Sequence, residues 1–168
     1  MAATSFAASL SEHPLATQAV GETVGAVLEQ LDGPPDLVTV FATDAHGGVM
    51  EDVTRAVRSL LNPRVLLGAT AVSVLGGAQE VEQAPGLALF AARFGAELEP
   101  VRLEAYAGPD GELLVAGGAG LSRGEGTLLL LADPYSFPVG DVVDHLAEAV
   151  PAVQIIGGMA SAGRHPGG

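Results

Sequence analysis

The stretch Val65 to Gly77, VLLGATAVSVLGG, constrains this chain more than any other. Three large apolar residues run into Gly68, small residues follow, and a second apolar set ends at Gly76-Gly77. Bounded by Pro63 and a glycine pair, a run this short suits a buried strand that bends at a glycine. Side chains this small let another backbone, or a ligand, approach closely. Gln154 to Gly163, QIIGGMASAG, has the same character.

The 168 residues suffice for a single domain, 1–168, with a sizeable core. With 48% apolar and only 16% charged residues, the composition argues against disorder. Aromatics make up just 4%, so Val, Leu and Ala must build the core. The absence of cysteine excludes a disulfide framework and thiolate metal sites. All seven basic residues are arginines, and the formal charge of −13 would repel phosphate backbones and anionic membranes. No apolar run approaches the roughly 18 residues of a membrane span. The first residues, MAATSFAASLSEHP, lack the basic start of a secretory signal. The expectation is a soluble cytoplasmic protein with no cofactor, no nucleic acid and no membrane partner.

Along the chain, Thr4 to Leu10 reads as a strand, and Ser11 as the cap of a helix from Leu15 to Leu31. Val20, Val24, Val27, Leu28 and Leu31 share one face of that helix. Leu37 to Thr43 is β-rich, and Asp44 to Gly48 is a loop into a second helix that Asn62-Pro63 stops. Its apolar positions are Met50, Val53, Ala56, Val57, Leu60 and Leu61. Later come a strand from Leu87 to Phe94, alternation from Val101 to Tyr106, and a short strand from Leu113 to Ala116. Thr127 to Ala132 repeats the buried-strand pattern, a third helix carries Val139, Val142, Val143, Leu146 and Val150, and Val153 to Ile156 runs into Gly157-Gly158.

Two halves of this order match: strand, loop, helix, proline, strand, glycine. The spacing from Ala42 to Ala132 is 90 residues and that from Gly68 to Gly157 is 89, which favours duplication of a β-α-β unit. The fold class is α/β: two related β-α-β units with added hairpin strands, forming a mixed sheet flanked by helices. The first copy continues into the strand Leu87 to Phe94, whereas the second stops at Arg164 to Gly168 before any such strand. The expectation is a domain incomplete at its C-terminus, completed by a companion domain or by homo-oligomerisation through an open sheet edge.

FAASLS, PDLVTVFAT and VLLGATAVSVLGGAQEVEQAPGLALFAARF resemble the N-terminal part of a FIST domain, and LLLLADPYSFP and PAVQIIGGMASAG resemble its continuation. The resemblance runs from about Thr4 to Gly163 and rests on the ordered set of segments. It implies an intracellular sensory module of bacterial signal transduction that binds a small ligand such as an amino acid.

The candidate ligand residues follow from the loops and glycines. Glu80 and Glu82 at i and i+2 share one face of a strand and suit an ammonium group, set against the commoner role of solvated surface acids. Asp44 and His46 follow the first strand of one repeat, and Asp133 and Tyr135 follow the matching strand of the other, where one shared cleft would receive them. Gly68, Gly157 and Gly158 would expose backbone groups as glycine turns, beside Ser161. An enzyme using Ser161 or His46 with a carboxylate is the alternative, though Met159 spoils G-x-S-x-G. A protein-interaction scaffold with an open sheet edge is a further one. His13, His46, His145 and His165 have no metal spacing, Gly118-x-Gly120 meets Arg123 where a dinucleotide motif needs glycine, and a Walker lysine is impossible here.

Overall fold

The computed structural model describes residues 4–111, 113–117 and 125–163. The chain divides into two compact units, Met1–Leu98 and Glu99–Gly168. Gly118, Gly120, Arg123, His165 and the end from Arg164 to Gly168 lie outside the described residues.

In the first unit, β1 (Ser5–Ser11), α1 (Ala16–Gln30), β2 (Leu37–Thr43), the one-turn α2 (Asp44–Gly47), α3 (Met50–Leu61) and β3 (Val65–Ala71) come first. The hairpin β4 (Ser73–Gly76) and β5 (Gln79–Glu82) then leads to β6 (Leu87–Arg93). The strands order as β1-β6-β2-β3. β2 and β3 run parallel, and β6 lies antiparallel between β1 and β2. This mixed sheet flanked by helices is the α/β class that the sequence indicates.

Period-2 alternation divides the strand residues between two faces. Ala7, Val38, Val40, Ala42, Leu87, Leu89 and Ala91 join Val24 and Val27 of α1 and Val53 and Val57 of α3 in the main core. On the other face, Ala88 and Phe41 meet Val74 and Val81 of the hairpin in a smaller core. Four core alanines, Ala7, Ala19, Ala42 and Ala91, let helix and sheet approach closely where aromatics are scarce.

The second unit contains the antiparallel pair β7 (Glu104–Ala107) and β8 (Leu113–Ala116), then β9 (Gly126–Ala132), α4 (Val139–Ala149) and β10 (Val153–Met159). β9 and β10 are parallel neighbours, as β2 and β3 are. The duplication extends to the register. Gly68 pairs with Val40 in the first unit, and Gly157 pairs with Leu130 in the second. A side chain at Gly68 would put its Cβ 2.5 Å from the Val40 carbonyl oxygen, and one at Gly157 would overlap the Leu130 carbonyl oxygen.

Several expectations need correcting. Gly68, Gly157 and Gly158 are not turns but lie within β3 and β10. At Gly68 and Gly157 the missing side chain admits a neighbouring strand's backbone. Ser11 does not cap α1: it ends β1, and its Oγ donates to Glu22. The helix begins instead after Leu15, whose N–H donates to His13 Nδ1 at 3.0 Å. Leu28 and Leu60 sit on the exposed sides of their helices, since their faces extend beyond the width of the sheet stripe. Residues 101–103 precede the strand that alternation placed there, which starts at Glu104. The expected stop of α3 is sharp, with Asn62 left-handed at φ 47° ahead of Pro63.

Candidate functional site

The hairpin β4–β5 covers only part of the sheet face opposite the helices. Gly77 holds its tight turn at φ +62°, a conformation that favours glycine. Gly76 lets the hairpin rest on β1, since a Cβ there would fall 2.9 Å from the Ser9 carbonyl oxygen and overlap Leu10. Beside the hairpin a cavity of about 180 Å³ opens, lined by Thr39, Phe41, Leu75, Ala88 and Phe90 with the Gly76-Gly77 backbone. Phe90 stacks on Phe6 with ring centroids 6.0 Å apart, and both rings are exposed. An engineered apolar cavity of about 150 Å³ in another protein holds benzene. The space here therefore suits one ring or branched aliphatic group.

The hairpin register sets the acids against their neighbours. Leu75 pairs directly with Glu80 across the hairpin, and Ser73 pairs with Glu82. Directly opposed residues have Cβ atoms about 5 Å apart on the same face, so Glu80 stands beside Leu75 on the outer face of the hairpin, opposite the sheet-facing Val74 and Val81. Glu80 and Glu82 are exposed while Val81 between them is buried, as the shared-face reading expects. The lining residues themselves escape sequence reasoning. The signal that points to them is Gly76-Gly77, at the end of the stretch Val65 to Gly77.

Asp44 and His46 lie together on α2, at the C-terminal end of β2. Asp44 is exposed, whereas His46 is 2% exposed, and its buried Nε2 has no hydrogen-bond partner among the described residues. A ring so enclosed presents no atom to a dissolved substrate, which counts against His46 as a general base. Thr43, just before it, accepts the Gly86 N–H at 2.9 Å and donates to the Ala84 carbonyl at 2.7 Å. These two bonds fasten the entry of β6 to the end of β2.

At the opposite end of β2, Asp36 performs the matching task. Its Oδ2 accepts the N–H groups of Phe94 and Gly95, each at 2.8 Å. Arg64 approaches Oδ1 at 3.5 Å. The Gly95 and Phe94 N–H groups, with Arg64 beside them, hold the Asp36 carboxyl below its ordinary value of 3.8 against the opposing effect of burial. Sequence reasoning passed over Asp36 because only tertiary structure brings residues 94 and 95 to it.

In the second unit, Asp133 and Tyr135 form a turn after β9. Asp133 Oδ1 accepts the Tyr135 N–H at 2.9 Å, and Oδ2 accepts the Ser136 hydroxyl at 2.6 Å. This is the side-chain-to-backbone chemistry that makes Asp-Pro a turn opener. Tyr135 and Ser161 are exposed, as are Gly157 and Gly158 on β10. Among the described residues no helix is long and apolar enough to cross a membrane, and no three His, Asp or Glu side chains group to hold a metal ion.

Comparison with known proteins gives one family match, the FIST N domain, over residues 36–168. Uncharacterized protein Mb0898c of Mycobacterium bovis is 31% identical over 156 residues, covering 92% of this chain and 40% of the relative. Uncharacterized protein MT0656 of Mycobacterium tuberculosis is 31% identical over 160 residues, covering 94% of this chain and 41% of the relative. The chain thus spans about two fifths of the length of these relatives.

Proposed function

Since the chain belongs to the FIST family by its FIST N domain, we propose that it is a small-ligand sensory module of signal transduction. The ligand is a metabolite that joins an apolar group to an ammonium, an apolar amino acid being the simplest. The observation that carries this reading is the cavity of about 180 Å³ with Glu80 paired to its lining residue Leu75. One side chain fills the apolar space, Glu80 reaches from the outer face of the hairpin to the ammonium, and the Gly76-Gly77 backbone stands beside the space for a carboxylate. Binding orders the hairpin against the sheet, and the response passes to the polypeptide or companion domain that reads it.

The test is thermal unfolding against apolar amino acids, their decarboxylated amines and their deaminated acids. A compound that binds only the folded chain stabilises it by about 2.7 kcal/mol at a hundredfold excess over its Kd. Amino acids and amines should raise Tm and the deaminated acids should not. Ala8 is an exposed lining residue, so Ala8→Phe should fill the cavity and abolish the shift, while Glu80→Gln should weaken it. A clean transition that no compound moves at millimolar concentration would refute the reading.

A further inference from the structure

The second unit repeats the first but lacks one strand among the described residues. In the first unit β2 is hydrogen-bonded on both sides, to β3 and to β6. Among the described residues its counterpart β9 pairs only with β10, in a two-stranded parallel sheet. Two features make this an unfilled position and not a natural edge. The sequence of β9, GTLLLLA, is a continuous apolar run without charge, the pattern of a strand in the middle of a sheet. Edge strands carry charges or prolines that prevent pairing, and β9 has neither. A pair of strands alone is also marginal, and parallel strands need neighbours most.

We propose that the free edge of β9 accepts an extended segment in antiparallel register, with the chemistry of β6: six small and apolar residues followed by an arginine, entered from a glycine. The repeat supplies the argument for this occupant. In the first unit the place is filled by LALFAAR, entered from Gly86 and fastened at its far end by the acid that immediately precedes β2, Asp36. In the repeat register the position of Asp36 falls on Gly126, and the nearest acid, the exposed Glu125, stands one residue earlier. The Gly157–Leu130 register reproduces Gly68–Val40, so the parallel pair is already in the geometry that receives β6. The occupant we infer corresponds to polypeptide that the longer relatives carry outside the matched region, the match covering 40% of the first of them.

A synthetic peptide of residues 85–95, PGLALFAARFG, serves as the probe, because it carries the segment that fills the equivalent place. Amide hydrogen exchange of the full chain is followed by mass spectrometry with and without millimolar peptide. The expected result is at least a tenfold slowing of exchange in residues 126–132, and none with a Leu89→Pro peptide, which cannot complete the ladder. Three outcomes would overturn the proposal: no slowing in β9, equal slowing by the proline peptide, or slowing confined to residues 37–43. Light scattering is run alongside. A dimer whose β9 amides are already protected without peptide would assign the edge to a second copy and overturn the choice of occupant.

Discussion

Replacing Asp36 by Asn should loosen the first unit at the point where β6 is tied to β2. Both tie N–H groups, of Phe94 and Gly95, donate to one carboxylate oxygen at 2.8 Å. Asparagine leaves a carbonyl oxygen for that place but removes its charge. Hydrogen bonds to a charged group contribute about 1.5–3 kcal/mol and neutral ones about 0.5–1.5. Two such exchanges therefore cost about 2 kcal/mol. Arg64 adds little, because it sits 3.5 Å away with its own side chain 54% exposed. The pH dependence fixes the mechanism. A carboxyl held below 3.8 in the folded state contributes stability above that value and loses it as pH falls through its folded value. Wild type and Asp36→Asn should thus differ near pH 7, and the gap should close as pH falls below 3.8 and through the lower folded value. Both tyrosines, Tyr106 and Tyr135, lie in the second unit, so their fluorescence does not report directly on the first. Urea unfolding should instead be read by amide exchange in β6. A gap below about 0.5 kcal/mol at neutral pH, or a gap that persists in acid, would refute the account.

Other outcomes follow from the same geometry. Thr43→Val keeps the shape but leaves the buried Gly86 N–H without its acceptor, and should cost the first unit about 2–3 kcal/mol in denaturant unfolding. Gly157→Ala forces a side chain onto the Leu130 carbonyl at φ +144° and should destabilise the second unit by at least about 2 kcal/mol. Gly158→Ala meets nothing within 4 Å and should change stability by less than about 0.5 kcal/mol, so equal effects at the two positions would contradict the register argument. His46→Leu removes a buried nitrogen that has no partner among the described residues, and Tm should hold or rise. A loss above about 1.5 kcal/mol would show that the imidazole is doing polar work.

What the sequence determined by itself was the local order of the chain. The runs LVTVFAT and TLLLLA, the helical spacing of Val53, Val57 and Leu61, and the Asn62-Pro63 stop each specify their element through contacts a few residues apart. The 89–90 residue repeat was equally legible, because duplication preserves spacing. Tertiary structure decided matters that depend on residues far apart in the chain. Gly68 reads locally as a bend, yet its lack of a side chain serves the Val40 carbonyl 28 positions earlier. Glu80 reads as a surface acid, and only the hairpin register sets it opposite Leu75. Asp36 carries no local sign of importance, because its partners at 94 and 95 arrive only when β6 enters between β1 and β2. Periodicity records which face of an element is apolar. It does not record which distant backbone will need an acceptor, or where a covering hairpin will leave a gap.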